Sequence, residues 1–253
     1  MVKILLCGAL GKMGRVITEL ASERGEFCIA AGIDMALAKA SDFPVFTAPA
    51  QFTGKADAII DFSNPSALPG ILEYAVASGT PAVIATTGLT DHHKNLIRRA
   101  SERVPVFFSA NMSLGVSLTA ELAKTAARVL GESCDIEIVE MHHNQKIDAP
   151  SGTALMLADA VSSVLADEPE YEYNRHDKHE RRPKNEIGIH SVRGGTIVGE
   201  HDVIFAGTDE VITIRHSAGS KRIFASGALR AAKWLTAQPV GLYTMDDLVR
   251  SQD

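Results

Sequence analysis

The segment Gly8-Ala9-Leu10-Gly11-Lys12-Met13-Gly14 is the clearest indication of how the first part of the chain folds. The apolar run before it, Val2–Cys7, predicts a buried strand, and the spacing of apolar residues over Gly11–Arg24 predicts a helix. Glycines between a strand and a helix let the backbone approach a pyrophosphate, which the free N–H groups of the helix N-terminus then bind. The segment therefore predicts a dinucleotide-binding turn, with Leu10 in the place of the usual middle glycine. The alternative is an ordinary tight turn.

The first part of the chain continues to alternate strand and helix patterns. The predicted strands are Phe27–Ile33, Ala56–Phe62, Pro81–Ala85 and Val104–Phe108, and the predicted helices are Ser66–Ser78 and Asp91–Glu102. Short buried strands that alternate with helices are typical of a parallel sheet covered on both faces. We therefore expect an α/β fold with a Rossmann domain over residues 1–112.

The pattern changes after Asn111 to that of an α+β domain over residues 113–219. The predicted elements are helix Leu114–Leu130, strand Asp135–His142, a helix from about Ser151, and consecutive strands Ile187–Val192, Thr196–Phe205 and Glu210–His216, with turns at Gly194-Gly195 and Thr208-Asp209. The last segment, residues 220–253, is expected to return to the first domain as a C-terminal helix, of which Arg222–Thr236 is amphipathic.

The residues after the second strand bear on the choice of cofactor. Asp34 follows Gly14 by about twenty residues, the place of the acid that accepts hydrogen bonds from the adenosine ribose. A carboxylate there repels a 2′-phosphate, and Met35 beside it carries no charge. We therefore expect NADH to be preferred over NADPH, although Lys12 and Lys39 are cations that can still reach a 2′-phosphate.

Two later strand ends are expected to complete the cofactor cleft, because ligands bind at the carboxyl ends of parallel strands. The alternative for each is an ordinary loop. With the residues of the first turn, the predicted cofactor-binding set is Gly8, Gly11, Lys12, Met13, Gly14, Asp34, Ala85, Thr86, Thr87, Ser109, Ala110, Asn111 and Met112.

The segment EMHHNQKIDAPSGTA, Glu140–Ala154, carries the most chemistry. Adjacent residues at a strand end face opposite sides, so His142 and His143 are expected to differ in role. Ser151 is predicted to be a helix N-cap, which leaves the N–H groups of the following residues, Gly152 and Thr153, to bind a carboxylate or phosphate. Together with a cationic lysine in the same loop, this segment predicts an anion pocket that carries two proton donors.

Two other interpretations of the segment remain. Histidines at strand ends are often simply hydrogen-bonded structure. A zinc site is the second, but the acids do not fall at zincin spacing and Lys146 would oppose a cation, so no metal is expected.

Bulk composition excludes several classes of function. The formal net charge of -6 argues against a nucleic-acid binder. No apolar stretch approaches the roughly 20 residues needed to span a bilayer, so no membrane association is expected. The three cysteines lie in apolar runs and are interpreted as buried thiols in a reducing compartment, and the first residues show no signal-peptide pattern. We therefore expect a cytoplasmic protein.

Several motifs, taken together, resemble one family. The run EMHHNQKIDAPSGTA is similar to the signature of the 4-hydroxy-tetrahydrodipicolinate reductase (dihydrodipicolinate reductase) family, which acts in the diaminopimelate route to lysine. The segments GALGKMGR, ATTG, SANMSLGV, RGGTIVGEH and FASGALRAA match the family as well, in the same order. The resemblance covers essentially the whole chain.

The resemblance implies hydride transfer from NADH or NADPH to a small cyclic dicarboxylate. It implies that His142 is the catalytic acid/base and Lys146 a proton donor. His143 would contact substrate, and a substrate carboxylate would be held by Ser151, Gly152 and Thr153. It also implies that the second domain binds substrate and uses a mixed sheet to assemble a homotetramer.

The chain departs from the family pattern at three positions. Gln145 stands where many members have another histidine, which makes the pocket less cationic, and Ala85 stands where many have glycine. Met35 replaces a residue that is often basic, in keeping with the expected preference for NADH. Competing interpretations are an aspartate or homoserine dehydrogenase, and a regulator that binds NAD(P) without turnover.

Other charged residues lie outside the predicted site. The basic segment 174–184 is expected to be a solvated loop, with a lid or a subunit contact as the alternative. Arg193 is interpreted mainly as part of a turn, with the pocket as a second possibility. A structural role is expected for His92, His93, His190, His201 and His216.

Overall fold

The computed structural model describes residues 1–36 and 42–251, and Lys39, considered above as a partner of a 2′-phosphate, lies outside them. In chain order the elements are β1 (Val2–Cys7), α1 (Lys12–Arg24), β2 (Phe27–Ile33), β3 (Val45–Phe46), β4 (Ala58–Asp61), α2 (Leu68–Ser78), β5 (Ala82–Ile84), α3 (Asp91–Ser101), β6 (Pro105–Phe108), α4 (Leu114–Leu130), β7 (Asp135–His142), α5 (Gly152–Ser162), β8 (Glu170–Glu172), β9 (Glu186–Arg193), β10 (Glu200–Ala206), β11 (Val211–Ser217), α6 (Arg222–Leu235), β12 (Gly241–Tyr243) and α7 (Met245–Arg250).

The chain divides into two compact units. The first combines Met1–Leu114 with Lys221–Asp253, and the second is the continuous segment Gly115–Ser220. Each unit has its own sheet, which in the first unit is covered by two apolar cores and in the second by one.

The first unit is built on a seven-stranded sheet in the order β3-β2-β1-β4-β5-β6-β12, whose neighbouring strands run parallel. Alternate side chains of β1 enter two different cores: Ile4 and Leu6 pack with residues of α1 and α6, whereas Leu5 and Cys7 pack with residues of α2 and α3. The sequence of a strand that is buried on both faces is a continuous apolar run, as in most of β1. The predicted parallel α/β sheet is confirmed, and its first six strands have the Rossmann order.

The prediction of the C-terminal segment as a helix was incomplete. After α6 the chain adds β12, which pairs with β6 in the register Gly241↔Pro105, and then α7. A strand of three residues is too short to show a period, so its place at the edge of the sheet is set by packing rather than by a sequence pattern.

Helix α6 approaches the end of β6 at Gly227. A Cβ built at Gly227 would lie 1.7 Å from the carbonyl oxygen of Met112. The helix therefore touches the backbone of the segment after β6, and only glycine permits this approach.

The second unit has a five-stranded mixed sheet in the order β11-β10-β7-β9-β8. Burial alternates strictly along β7, and its inward side chains pack with α4 and α5, as in the contacts of Ile136 and Ile138 with Ala123 and Leu157 in one core. This alternation is expected of a sheet that is covered on one face. The predicted α+β block with a mixed sheet is confirmed.

Strand pairing in the second unit differs from the prediction. The three late strands are not consecutive neighbours, because β7 lies between β9 and β10, parallel to the first and antiparallel to the second. The strand expected at Thr196–Phe205 begins only at Glu200, and the short strands β3 and β8 were missed. Sequence pattern identifies strands but not their neighbours, which long-range packing selects.

The described part of the chain contains no helix that is both long and apolar enough to cross a membrane.

Candidate active site

The glycine turn joins β1 to α1 in the first unit. Gly8 has φ 77°, a left-handed conformation that favours glycine, and Gly11 is the N-cap of α1. A Cβ at Gly14 would lie 2.3 Å from the carbonyl oxygen of Gly8, so the first turn of the helix packs directly on the glycine loop. Because Gly11 has no side chain to cap the helix, the N–H groups of Lys12 and Met13 begin α1 without a side-chain partner from the N-cap. This backbone geometry fits a pyrophosphate.

Asp34 stands immediately beside this turn. Its Oδ2 accepts a hydrogen bond from the backbone N–H of Leu10 at 2.9 Å, and its Oδ1 accepts one from Ala36 at 3.1 Å. These bonds hold the carboxylate at the carboxyl end of β2, where a dinucleotide places its adenosine ribose. The side chain of Met35 is 81% exposed and adds no charge.

The other predicted cofactor residues follow β5 and β6. Ala85 and Thr86 are buried, whereas Thr87 is exposed. After β6, the hydroxyl of Ser109 donates to the carbonyl of Asn111 at 2.6 Å. Ala110 is exposed and Met112 is buried in the same segment. The structure thus brings the ends of β1, β2, β5 and β6 to one edge of the sheet.

Sequence reasoning missed Asp61, which ends β4 between β1 and β5. Its buried carboxylate accepts hydrogen bonds from the hydroxyl of Thr86 at 2.8 Å and the backbone N–H of Ser63 at 2.9 Å. Burial raises the pKa of Asp61 against the opposing effect of these bonds. The sequence signal that could have identified Asp61 is its position as an acidic residue at the end of the apolar strand β4. Asp61 ties the loop after β5 to the neighbouring loop after β4.

A second cluster lies in the second unit, around the fully buried carboxylate of Glu140. Its Oε2 is 2.6 Å from His142 Nδ1 and accepts a hydrogen bond from Arg193 Nη1 at 2.8 Å. Its Oε1 accepts bonds from Arg193 Nη2 at 2.7 Å and from the backbone N–H of Ser151 at 3.0 Å. Burial alone would raise the pKa of Glu140, but the bonds from Arg193, His142, Ser191 and Ser151 outweigh it and lower the pKa to about 2.

Ser151 begins α5 as its N-cap, as the sequence predicted. Its hydroxyl accepts a hydrogen bond from the N–H of Ala154 at 3.1 Å and lies 2.9 Å from Nε2 of His201. Gly152 and Thr153 are the first two residues of the helix. The start of this helix and His142 are therefore both hydrogen-bonded to the carboxylate of Glu140.

His201 belongs to the cluster, although the sequence suggested only a structural role. Its ring packs edge-on against that of His142, with centroids 5.2 Å apart. Burial, followed by the proximity of His142, lowers the pKa of His201 to about 4, so the ring is neutral near neutral pH. Arg193 was likewise placed mainly in a turn, yet it ends β9 and binds Glu140. Both lie about fifty residues from their partners in sequence, and no local pattern connects them.

Lys146 lies in the loop between β7 and α5. Its Nζ donates to both carboxylate oxygens of Asp148 at 2.8 Å, and this bond lowers the pKa of Asp148. Arg193 Nη2 donates to the carbonyl of Asp148 at 2.7 Å, which ties the loop to the buried cluster. His143, at the start of the loop, is half-buried, and its carbonyl accepts the N–H of Lys146 at 3.1 Å.

Segment 174–184 is not a freely solvated loop. Arg182 donates to Glu137 at 2.9 Å and to Asp135 at 3.1 Å, and Arg175 and Lys178 pair with the buried Glu186. Between them these ion pairs attach the segment to β7 and β9. Within residues 1–36 and 42–251, no three His, Cys, Asp or Glu side chains come together as a metal site.

The fold and the two clusters define an α/β protein with a Rossmann-type unit and a mixed-sheet unit that carries a histidine, a lysine and a helix N-terminus. Residues 2–112 match the family model for the dihydrodipicolinate reductase N-terminus, and residues 115–249 match the model for its C-terminus. The chain belongs to the dihydrodipicolinate reductase family.

Individual relatives and structures agree with this assignment. The chain is 53% identical to a 4-hydroxy-tetrahydrodipicolinate reductase from Caldanaerobacter subterraneus subsp. tengcongensis over 99% of both chains, and 45% identical to one from Clostridium tetani over 99% of this chain and 98% of the relative. A dipicolinate-bound dihydrodipicolinate reductase from Paenisporosarcina sp. TG-14 has a similar fold, with a TM-score of 0.83, 24% identity and coverage of 98% and 99%. An aspartate dehydrogenase from Thermotoga maritima shares the fold more distantly, with a TM-score of 0.53, 10% identity and coverage of 95% and 99%.

The neutral, buried state of His201 predicts a specific dependence of stability on pH. The unfolded chain binds a proton at this residue below pH 6.5, whereas the folded chain does so only below about 4. The free energy of unfolding should therefore fall by up to about 3 kcal/mol as the pH drops through this window. His201→Gln should remove that part of the slope, as measured by urea unfolding followed by circular dichroism.

His92→Gln is the control, because this histidine is exposed on α3 and should leave the slope in place. Identical slopes for the wild-type protein and His201→Gln would contradict the neutral buried histidine.

Proposed function

We propose that the protein reduces 4-hydroxy-tetrahydrodipicolinate to tetrahydrodipicolinate, in diaminopimelate and lysine biosynthesis. The observation that carries the proposal is the folded arrangement of Glu140–Ala154, in which an imidazole, a lysine and a helix N-terminus share one buried anchor. Relatives that match over nearly the full chain bear the name of this reductase. A reduced nicotinamide, bound at the glycine turn and Asp34, would supply the hydride.

The substrate's two carboxylates require cationic and N–H partners. We assign one carboxylate to the start of α5, where the hydroxyl of Ser151 and the N–H groups of Gly152 and Thr153 surround the positive end of the helix dipole. Lys146 supplies a cation in the adjoining loop, and His143 is the further substrate contact. The solved relative with bound dipicolinate, a dicarboxylate, supports this class of ligand.

Proton supply is the second task of the cluster. Hydride addition to C4 of a conjugated C=C–C=N system moves an electron pair through the conjugation and creates an anionic, enamine-like state. His142 and Lys146 are the acids that can protonate this state on its ring carbon, which completes the addition of two electrons and two hydrogens across one double bond. The acid then recovers its proton from solvent.

The segment also separates this proposal from its competitors. The HHNQK segment argues against an aspartate or homoserine dehydrogenase. Proton donors beside an anion site argue against a regulator that binds NAD(P) without turnover, because binding alone does not require them. The likeness to aspartate dehydrogenase extends to the fold alone.

NADH is proposed as the preferred cofactor, with NADPH also accepted. The support is Asp34, fixed beside the turn by Leu10, and the uncharged, exposed side chain of Met35. A fixed carboxylate binds the ribose hydroxyls and repels a 2′-phosphate.

A homotetramer assembled through the mixed sheet is proposed from the family resemblance. Exposed apolar side chains on this sheet, Val192, Val211 and Ile212, support it as an assembly surface. Light scattering should give four times the mass of one chain, and a monomer would contradict the proposal.

A cytoplasmic location is also proposed, in keeping with the free thiols Cys7, Cys28 and Cys134, and cell fractionation tests it.

The activity is tested with the product of dihydrodipicolinate synthase and NADH, by following the loss of reduced-nicotinamide absorbance. Lys146→Ala and His142→Ala should each lower kcat by about 10²-fold or more, because each removes a proton donor. Lys94→Ala is the control, since Lys94 also pairs with an aspartate, Asp91, but on the exposed face of α3. No absorbance loss with either cofactor, or full turnover by both variants, would refute the proposal.

The cofactor preference is tested by comparing kcat/KM for NADH and NADPH. The wild-type protein should favour NADH, and Met35→Arg should raise kcat/KM for NADPH by about tenfold, because a guanidinium pairs with a 2′-phosphate. The value for NADH serves as the internal control and should change little. A wild-type preference for NADPH would contradict the assignment of Asp34.

A further inference from the structure

Four N–H groups or ring nitrogens converge on the two oxygens of Glu140. His142 Nδ1 and Arg193 Nη1 meet Oε2, and Arg193 Nη2 and the backbone N–H of Ser151 meet Oε1, all within 3.0 Å. The guanidinium and the backbone amide can only donate. The carboxylate is fully buried, so its charge is compensated by groups of the protein, mainly these four.

The hydrogen-bond inventory fixes the state of His142. An ionised carboxylate is an acceptor only, and a bidentate guanidinium keeps Glu140 ionised. Nδ1 of His142 must therefore carry the hydrogen that bridges to Oε2. The neutral ring then has its lone pair on Nε2, and the protonated ring has its exchangeable proton there.

The structure also keeps space beside Nε2. A Cβ built at Gly199 would lie 3.0 Å from His142 Nε2, so the chain before β10 approaches this nitrogen with a residue that has no side chain. The opposite nitrogen is enclosed by Glu140. Nε2 is thus the atom of His142 that can exchange a proton.

The ion pair of Glu140 and Arg193 also contacts the start of α5 and the Lys146 loop. Glu140 Oε1 holds the N–H of Ser151, where α5 begins, and Arg193 holds the carbonyl of Asp148, whose carboxylate pairs with Lys146. One buried pair therefore sets the positions of the imidazole, the start of the helix and the lysine loop.

We propose that Glu140 and Arg193 are positioning residues that hold His142 as the Nδ1–H tautomer, with Nε2 directed to the substrate, and that align it with the start of α5 and the Lys146 loop. This inference rests on the function proposed above, since it assigns Nε2 as the atom that delivers the proton. Neither residue needs to touch substrate for this role.

Glu140→Gln is the informative variant. In the place of Oε1 its amide NH₂ would face only donors, Arg193 and the N–H of Ser151. In the place of Oε2 it faces Arg193 and His142, and His142 can become an acceptor by moving its hydrogen from Nδ1 to Nε2, so this orientation is favoured. The neutral ring should therefore change tautomer, which leaves no lone pair on Nε2 to take up a proton. We expect kcat to fall by about 10²- to 10⁴-fold, in the range of other histidines held in the wrong tautomer, with KM changed only a few-fold.

The chain provides a matched control in Glu137. It lies on the same strand, β7, and also pairs with a histidine and an arginine: it lies 2.8 Å from His190 Nε2 and accepts a bond from Arg182 at 2.9 Å. Glu137→Gln removes the same charge from the same combination of partners without touching His142. It should leave kcat and the tautomer of His142 unchanged, with assembly of both variants checked by light scattering.

The tautomer is read directly by ¹⁵N NMR of imidazole-labelled protein at about pH 8, where an ordinary imidazole is neutral. The His142 signals are assigned by their loss in His142→Ala. We expect Nδ1–H in the wild-type protein and in Glu137→Gln, and Nε2–H in Glu140→Gln. An Nε2–H ring in the wild-type protein overturns the proposal even if Glu140→Gln does not fold.

The remaining outcomes are equally decisive. A loss of kcat in Glu140→Gln with an unchanged tautomer would overturn the positioning role, as would an altered tautomer with full kcat. The NMR measurement needs no substrate. A wild-type protein with the Nδ1–H ring that fails to reduce 4-hydroxy-tetrahydrodipicolinate would refute the proposed function separately.

Discussion

The second unit depends on the charge balance of one buried carboxylate. An isolated ionised carboxylate in a protein interior is costly, and removing its partner typically destabilises a protein by about 3–5 kcal/mol. Glu140 avoids this cost only while Arg193, His142 and Ser151 all remain in place. The end of β7, the end of β9 and the start of α5 are therefore constrained together.

The two units form their sites by different physical means. In the first, the candidate site is mainly backbone: a left-handed glycine, a helix that begins without a side-chain cap, and strand ends brought together by a parallel sheet. In the second, ionisable side chains from distant strands compensate one another. The first kind of site follows from local geometry, and the second from tertiary pairing.

This difference explains what the sequence could predict. The glycine turn, Asp34 and the N-cap Ser151 all act on neighbours in sequence or at motif spacing, and their positions were predicted. The roles of Arg193 and His201 were not, because these residues reach Glu140 and His142 only through the pairing of β9 and β10 with β7. The same limit produced the wrong strand order in the mixed sheet, whereas β12 was missed because three residues are too few to show a period. Residues that act over fifty positions leave no periodic signal.

The contact between Gly227 and the carbonyl of Met112 has a consequence for how the chain is made. The first unit combines the segment up to Leu114 with the segment from Lys221, so its sheet receives β12, and the segment after β6 its helical neighbour, only after the whole second unit has been synthesised. The second unit is continuous and is synthesised complete before that moment. A nascent chain must therefore carry an incomplete first unit while the second unit is made, and the contact of Gly227 with Met112 forms only afterwards.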